Sequence, residues 1–203
     1  WYEILTKKKR SKTILIAEIG VNHDGSIEQA YRLIDAAHAA GADIAKFQIF
    51  NTELLIKKDT ALAKYQRENI GKNISQYEML QRLELGVEEH VKLFNYCELL
   101  GIEYLATAFD DESLSLLTSK IDLQRLKIPS GELNNAPLLL KHAQIGKKII
   151  MSTGMANLSD VENALAIISY GLSGSGKSAP TQNEIYSAYS DAGTRLKLQK
   201  FVT

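Results

Sequence analysis

Arg125-Leu126-Lys127-Ile128-Pro129-Ser130-Gly131-Glu132 is the stretch on which the reading turns. It opens as a short apolar strand and closes as a polar turn, with a cation, a hydroxyl and a carboxylate packed into six residues. Pro129 removes a ladder donor and Gly131 tolerates unusual backbone angles, so sheet pairing is expected to stop there. A charge carried at the end of a buried strand is costly unless something pairs with it. Lys127 followed at once by Ser130 and Glu132 therefore points to a strand end that meets a polar, anionic ligand. A single turn of this kind is commonly just a snorkelling lysine at a surface. The weight comes from repetition, because other strands of the chain carry the same layout.

Upstream, Thr13–Val21 (TILIAEIGV) is a β-branched run too continuous for a half-exposed strand, and is expected to be buried on both faces with Glu18 as its anomaly. Asn22-His23-Asp24-Gly25 is turn chemistry, Ser26 is a helix cap, and apolar spacing predicts a helix over 27–40. Ile44–Phe50 is a second strand with Lys46 and Gln48 on one face. Residues 51–75 read as a long polar segment with a short helix near Ala61–Glu68. Ser75 and Glu78 have capping-box spacing for a helix to about 85, and a further helix runs over 87–100. Ile102–Phe109 is a third strand, ending near Thr107 and followed by the acidic helix start Asp110-Asp111-Glu112. Leu123–Ile128 is the fourth strand, and a helix from Pro137 to Gly146 follows it. Lys148–Met151 leads the fifth, which finishes in Ser152-Thr153-Gly154. Ser159 and Glu162 are read as a capping box for a helix to about Tyr170.

The pattern is strand then helix, five times over, which predicts a parallel α/β architecture. Periodicity alone leaves open a (β/α)8 barrel and an open doubly wound sheet, and both bind ligands at the carboxyl ends of their strands. Glu18, Lys46, Thr107, Lys127 with Ser130, and Ser152 all fall at or near those ends. Solubility alone does not call for five strands with polar groups aimed at one rim.

The bulk composition narrows the partners. Twenty-four basic residues balance twenty-four acidic ones over 203 positions, so no global field draws the chain to nucleic acid or to a membrane. The basic run Lys7–Arg10 reads as a solvated tail. One cysteine, Cys97, excludes an intrachain disulfide framework and, among Phe94, Leu99 and Leu100, reads as core. No apolar run reaches membrane-spanning length, and the expectation is a soluble cytoplasmic protein. The histidines at 23, 38, 90 and 142 lack ligand spacing, three of them lying in helical patterns, so no complete metal site from this chain's own side chains is expected.

One motif is tempting and rejected. Gly171-Leu172-Ser173-Gly174-Ser175-Gly176-Lys177-Ser178 fits the phosphate-loop pattern, which would make a nucleotide hydrolase using Lys177. Such a loop needs a strand feeding it and a helix leaving it. Here Asp160–Tyr170 has helical spacing and Ala179-Pro180-Thr181 reads as loop, so the run is read as a flexible Gly/Ser connector.

Ile16–Ser26 (IAEIGVNHDGS), Ala45–Gln48 (AKFQ), Ala106–Phe109 (ATAF), Lys127–Glu132 (KIPSGE) and Ser152–Met155 (STGM) stand in an order and spacing that resembles the sialic acid synthases: N-acetylneuraminate synthase and its legionaminate and pseudaminate relatives. The resemblance covers about residues 12–170. It implies a (β/α)8 TIM-type barrel, here an incomplete one of about five βα units. It also implies condensation of phosphoenolpyruvate with an N-acyl hexosamine, such as N-acetylmannosamine, to a nine-carbon 2-keto sugar acid and phosphate. Carried to matching positions, it assigns Lys46, Thr107, Lys127, Ser130 and Ser152 to phosphoenolpyruvate. Glu18 would face the sugar and a metal-bound water, and Glu132 would act near the reacting carbons. Glu18, Lys127 and Glu132 are thus the expected catalytic residues. The family uses a divalent metal, manganese or magnesium, on histidines that follow its sixth and seventh strands; those ligands are expected beyond Thr203. A C-terminal antifreeze-like domain, which reaches into the partner's site in a homodimer, is likewise outside these residues. The 203-residue piece is accordingly expected to be inactive alone, with a non-catalytic binding or assembly role as the alternative. Segments 171–182, a Gly/Ser-containing connector, and 183–203, a polar, helix-like stretch, match none of these motifs, and sugar-specific contacts are expected in 51–75.

Overall fold

The computed structural model of the protein describes residues 13–58, 75–174 and 179–203. Five strands, β1 (Ile16–Gly20), β2 (Ile44–Ile49), β3 (Glu103–Ala108), β4 (Arg125–Ile128) and β5 (Lys148–Met151), form one sheet in the order β1-β2-β3-β4-β5. Every neighbouring pair is parallel. A doubly wound sheet reverses its strand order at a switch point, whereas this order never reverses. Crossovers of one hand then stack every helix on the same side of the sheet, as in the wall of a (β/α) barrel. The five described strands do not close on themselves.

The helices are α1 (Ile27–Ala39), α2 (Thr52–Leu55), α3 (Gln76–Leu83), α4 (Val87–Leu100), α5 (Asp111–Lys120), α6 (Ala136–Ile145), α7 (Leu158–Ser173), α8 (Gln182–Ser190) and α9 (Ala192–Phe201). Alternate strand residues face them. Ile19, Ala45, Phe47, Ile49, Tyr104, Ala106, Ala108 and Leu126 pack with Ile34 of α1, Leu93 and Cys97 of α4, and Leu114 and Leu117 of α5. A second cluster joins Ile128 and Ile149 to Leu139 of α6 and to Ile168 and Leu172 of α7. Each fully buried Leu or Ile is worth about 1.5–3 kcal/mol, so this helix-covered face supplies most of the stability. The opposite face carries the charged side chains together with Ile44 and Leu105, both buried.

Several details depart from the sequence reading. β1 is not buried on both faces: Ile14, Leu15 and Ile16 are exposed, because among the described residues β1 pairs only with β2. Segment 51–75 contains α2, capped by Asn51; the helix expected near 61–68 lies outside the described residues. The capping box of α7 is Asn157 with Asp160, not Ser159 with Glu162. The same i,i+3 grammar occurs two residues earlier, and the helix takes the earlier start. α7 also runs past Tyr170 to Ser173 and ends at Gly174, whose φ of 84° suits a residue without a side chain. Gly171–Ser173 are thus the last turn of a helix and not the exit of a strand, which removes the geometry a phosphate loop needs. The polar tail from Gln182 is helical, as its sequence suggests, and forms two helices. After them Val202 bridges Ile149, with Thr203 N–H donating to Ile149 O and Met151 N–H to Thr203 O, both at 2.9 Å, so a parallel run starts along β5. The cap of Ser75 with Glu78 is present as expected, and Cys97 is fully buried.

Candidate functional site

Period-two alternation places Glu18, Lys46 with Gln48, Thr107 and Lys127 on the open face, opposite the helix-covered residues of the same strands. Pairing sets Glu18 beside Lys46 and aligns Gln48 with Thr107 and Thr107 with Lys127. Glu18 and Lys46 sit mid-strand and not at the strand ends. Their long side chains nonetheless come within electrostatic reach of Lys127.

Lys46 is the more enclosed partner, its side chain 14% exposed against 54% for Glu18, and the two form an ion pair. A cation that sheltered requires a counter-charge, and Glu18 provides it. Among the described residues Lys127 has no carboxylate within ion-pairing distance; its Nζ donates to Ile128 O at 2.8 Å. Partial burial, reinforced by the nearby Lys46 charge and opposed by Glu18, lowers its pKa to about 8. Two ammonium groups and one carboxylate leave this patch short of negative charge. An incoming dianion would relieve both lysines. Below it, Arg125 and Glu103 make a bidentate pair, Nε to Oε1 at 2.6 Å and Nη2 to Oε2 at 2.8 Å. That pair is internally balanced and leaves no charge for a ligand.

Where β4 ends, Ser130–Glu132 form a single 3-10 turn closed by Glu132 N–H to Pro129 O at 3.0 Å. Ser130 and Glu132 are both half-buried. Ser152 N–H donates to Ile128 O at 3.0 Å, setting Ser152, also half-buried, beside the exit of β4. Thr107 is buried at 3% exposure. Glu18, Lys46 and Lys127 form one electrostatic group, Thr107 is in register with Lys127, and Ser130, Glu132 and Ser152 occupy the turns leaving β4 and β5.

A side chain at Gly20 would lie 3.4 Å from both Gln48 Nε2 and Glu18 Oε1, so Gln48, which strand spacing sets on one face with Lys46, shares the space above Glu18. One neighbour escaped the sequence reading: Asn135, whose Nδ2 donates to Glu132 Oε2 at 2.8 Å. Among the described residues no group of three or more His, Cys, Asp or Glu side chains is gathered to hold a metal ion. The described residues therefore do not complete a metal site. No described helix is long and apolar enough to cross a membrane. A cleft of about 580 Å³ is lined by Glu53–Lys58 and Tyr77, none of them among the site residues above.

A parallel α/β sheet in barrel order, with a cationic, hydroxyl-rimmed face at the strand exits, defines a barrel-type enzyme scaffold. The chain belongs to the NeuB family, whose model matches residues 33–199 and so extends over the tail that the motifs did not reach. It is 44% identical over 157 residues to N,N'-diacetyllegionaminic acid synthase of Campylobacter jejuni, covering 77% of this chain and 47% of that protein. The enzyme of the same name from Legionella pneumophila is 44% identical over 151 residues, covering 74% of this chain and 42% of that protein. The crystal structure of N-acetylneuraminic acid (sialic acid) synthetase from Leptospira borgpetersenii, in complex with citrate, superposes with a TM-score of 0.67 at 30% identity. That match covers 80% of this chain and 52% of the other. The chain thus spans about half the length of the relatives it matches.

Proposed function

We propose that this chain is the phosphoenolpyruvate-binding part of a synthase that condenses phosphoenolpyruvate with an N-acyl hexosamine, N-acetylmannosamine or a close relative, to a nine-carbon 2-keto sugar acid and phosphate. The observation that supports it most directly is the sharing of one sheet face by Lys46 and Lys127, close enough that one depresses the other. Phosphoenolpyruvate holds a phosphate and a carboxylate a few ångströms apart, and two ammonium groups with hydroxyl donors from Thr107, Ser130 and Ser152 complement it.

In this reading C3 of the enol phosphate bonds to the sugar's aldehyde carbon, and that oxygen takes a proton. Positive charge develops at C2, where water adds before phosphate leaves and the keto group forms. Glu132, on the turn at the β4 exit, offers a carboxylate to the charge at C2. Glu18 is released from Lys46 when the substrate phosphate arrives, and turns to the sugar side. A divalent cation, manganese or magnesium, belongs to this proposal, with ligands from outside the described residues, as does a homodimer.

The test is sugar-dependent phosphate release by the full-length gene product. Lys127→Ala is expected to lose activity by roughly 100- to 1,000-fold, the usual cost of removing one charge-stabilising donor, with an unchanged Tm. Full activity in that variant would overturn the assignment. A wild-type protein that binds phosphoenolpyruvate yet releases no phosphate with any N-acyl hexosamine would leave the non-catalytic role standing.

A further inference from the structure

Glu132 is held by a side chain that no motif singled out. Asn135 Nδ2 donates to Glu132 Oε2 at 2.8 Å, while Asn135 Oδ1 accepts from Leu138 N–H at 3.3 Å as the cap of α6. Asn135 N–H also donates to Glu132 O at 3.0 Å. A backbone N–H only donates and a carboxylate only accepts, so the amide's two ends can be arranged in one way only. We propose that Asn135 is the positioning residue for the Glu132 carboxylate, fixing it at the β4 rim by tying it to the first turn of α6.

The surroundings make such a tie necessary. Leu133, 3% exposed, anchors the backbone of the turn in the second apolar cluster, and Leu139 anchors α6 in the same cluster. The Glu132 side chain itself has no such anchor. Gly131 beside it would meet nothing within 4 Å even if it carried a Cβ. A glutamate with three free torsions spends little time in any one orientation, and catalysis needs it in one. Asn135 links the carboxylate to the anchored first turn of α6, so the carboxylate inherits that fixity through a single amide.

This inference rests on Glu132 serving the reaction proposed above, and the experiment separates the two. Asn135→Asp keeps an acceptor for Leu138 N–H, and aspartate caps as well as asparagine, but it has no donor for Glu132. In the full-length gene product it is expected to keep the Tm and the KM for phosphoenolpyruvate while kcat falls roughly 10- to 100-fold, the scale of a small misplacement of a reacting group. Asn135→Ala loses cap and tie together, so its Tm falls and its kcat matches that of Asn135→Asp. In a Glu132→Gln background, Asn135→Asp is expected to lower kcat no further. A wild-type kcat in Asn135→Asp, with Glu132→Gln impaired, overturns the positioning role and leaves the proposed function intact. Wild-type activity in Glu132→Gln overturns both the role of Glu132 and that of Asn135.

Discussion

At the scale of single residues, Lys127 carries the most chemical information. Its ammonium is partly buried, faces the charge of Lys46, and is satisfied by one backbone carbonyl. A lysine with a pKa of about 8 is mostly charged at pH 7 and mostly neutral at pH 9. An anion bound beside it favours the charged form, so binding at pH 9 must draw a proton from solvent and affinity must fall as pH rises past 8. Calorimetric titration of phosphoenolpyruvate at pH 9, in buffers of different ionisation enthalpy, is expected to show uptake approaching one proton. Lys127→Arg, charged at every accessible pH, should show none. Equal heats for the wild type in all buffers would mean that the anion does not meet Lys127. Strand spacing made Lys46, Gln48 and Lys127 legible as a common face before any coordinates. The pairing of Glu18 with Lys46 was not legible, because a sequence does not say which charge is nearest when no ligand is present. Asn135 was hidden for a related reason: an asparagine ahead of an apolar run reads as a cap, and its second hydrogen bond leaves no trace in spacing.

At the scale of elements, the strands and most helices were legible from apolar period and turn chemistry. One failure came where two residue pairs obeyed the same rule. Asn157–Asp160 and Ser159–Glu162 are both capping grammar, and the structure uses the first. Gly171 is the more instructive case. It heads the Gly/Ser run that reads as a flexible connector, yet it is a packing residue on α7. A Cβ there would lie 2.5 Å from Ala143 Cβ and 3.2 Å from Leu140 O, both on α6. Gly171→Ala gains about 1 kcal/mol of helix propensity but forces two closely packed helices apart, an overpacking cost of about 1–3 kcal/mol. The net expectation is a destabilised chain with a lower urea midpoint. Adding Ala143→Gly removes the nearest clash and should recover part of the loss. A Gly171→Ala variant at least as stable as the wild type would show that α6 and α7 do not pack as described.

At the scale of the whole molecule, one face of the sheet is apolar and helix-covered while the other carries Glu18, Lys46, Glu103, Arg125 and Lys127. That asymmetry is what makes the chain a scaffold for a site. Strand order could not be read from periodicity, since a barrel and a doubly wound sheet share the same strand–helix alternation; only pairing resolves it. A polar centre in the helix-covered face couples several of its elements. His90 of α4, fully buried, meets the Tyr104 hydroxyl of β3 at 2.6 Å, with Phe47 of β2 and His23 from the turn after β1 close by. Burial raises the Tyr104 pKa, so its hydroxyl stays protonated, and the direction of its hydrogen bond with His90 Nδ1 follows the imidazole tautomer. Burial, with the His23 charge adding to it, pushes the His90 pKa down to about 3 from 6.5. Between these values the unfolded chain binds a proton that the folded chain refuses, so stability is full above about pH 6.5 and falls as pH drops toward 3. From pH 7 to pH 5 the loss from His90 is about 2 kcal/mol. Burial lowers His23 and His142 as well, and both add to the loss in the same window. The lowered carboxyls of Glu28 and Asp191 act only below their ordinary values of 4.5 and 3.8, outside this interval. Urea unfolding of the 203-residue chain at the two pH values should show the drop. His90→Gln, which offers Tyr104 a partner but does not titrate, should shrink it by about 2 kcal/mol while being less stable at pH 7. An identical pH dependence in the variant would mean that the imidazole is already charged in the fold, and that the centre joining α4 to β2 and β3 is not the neutral one described.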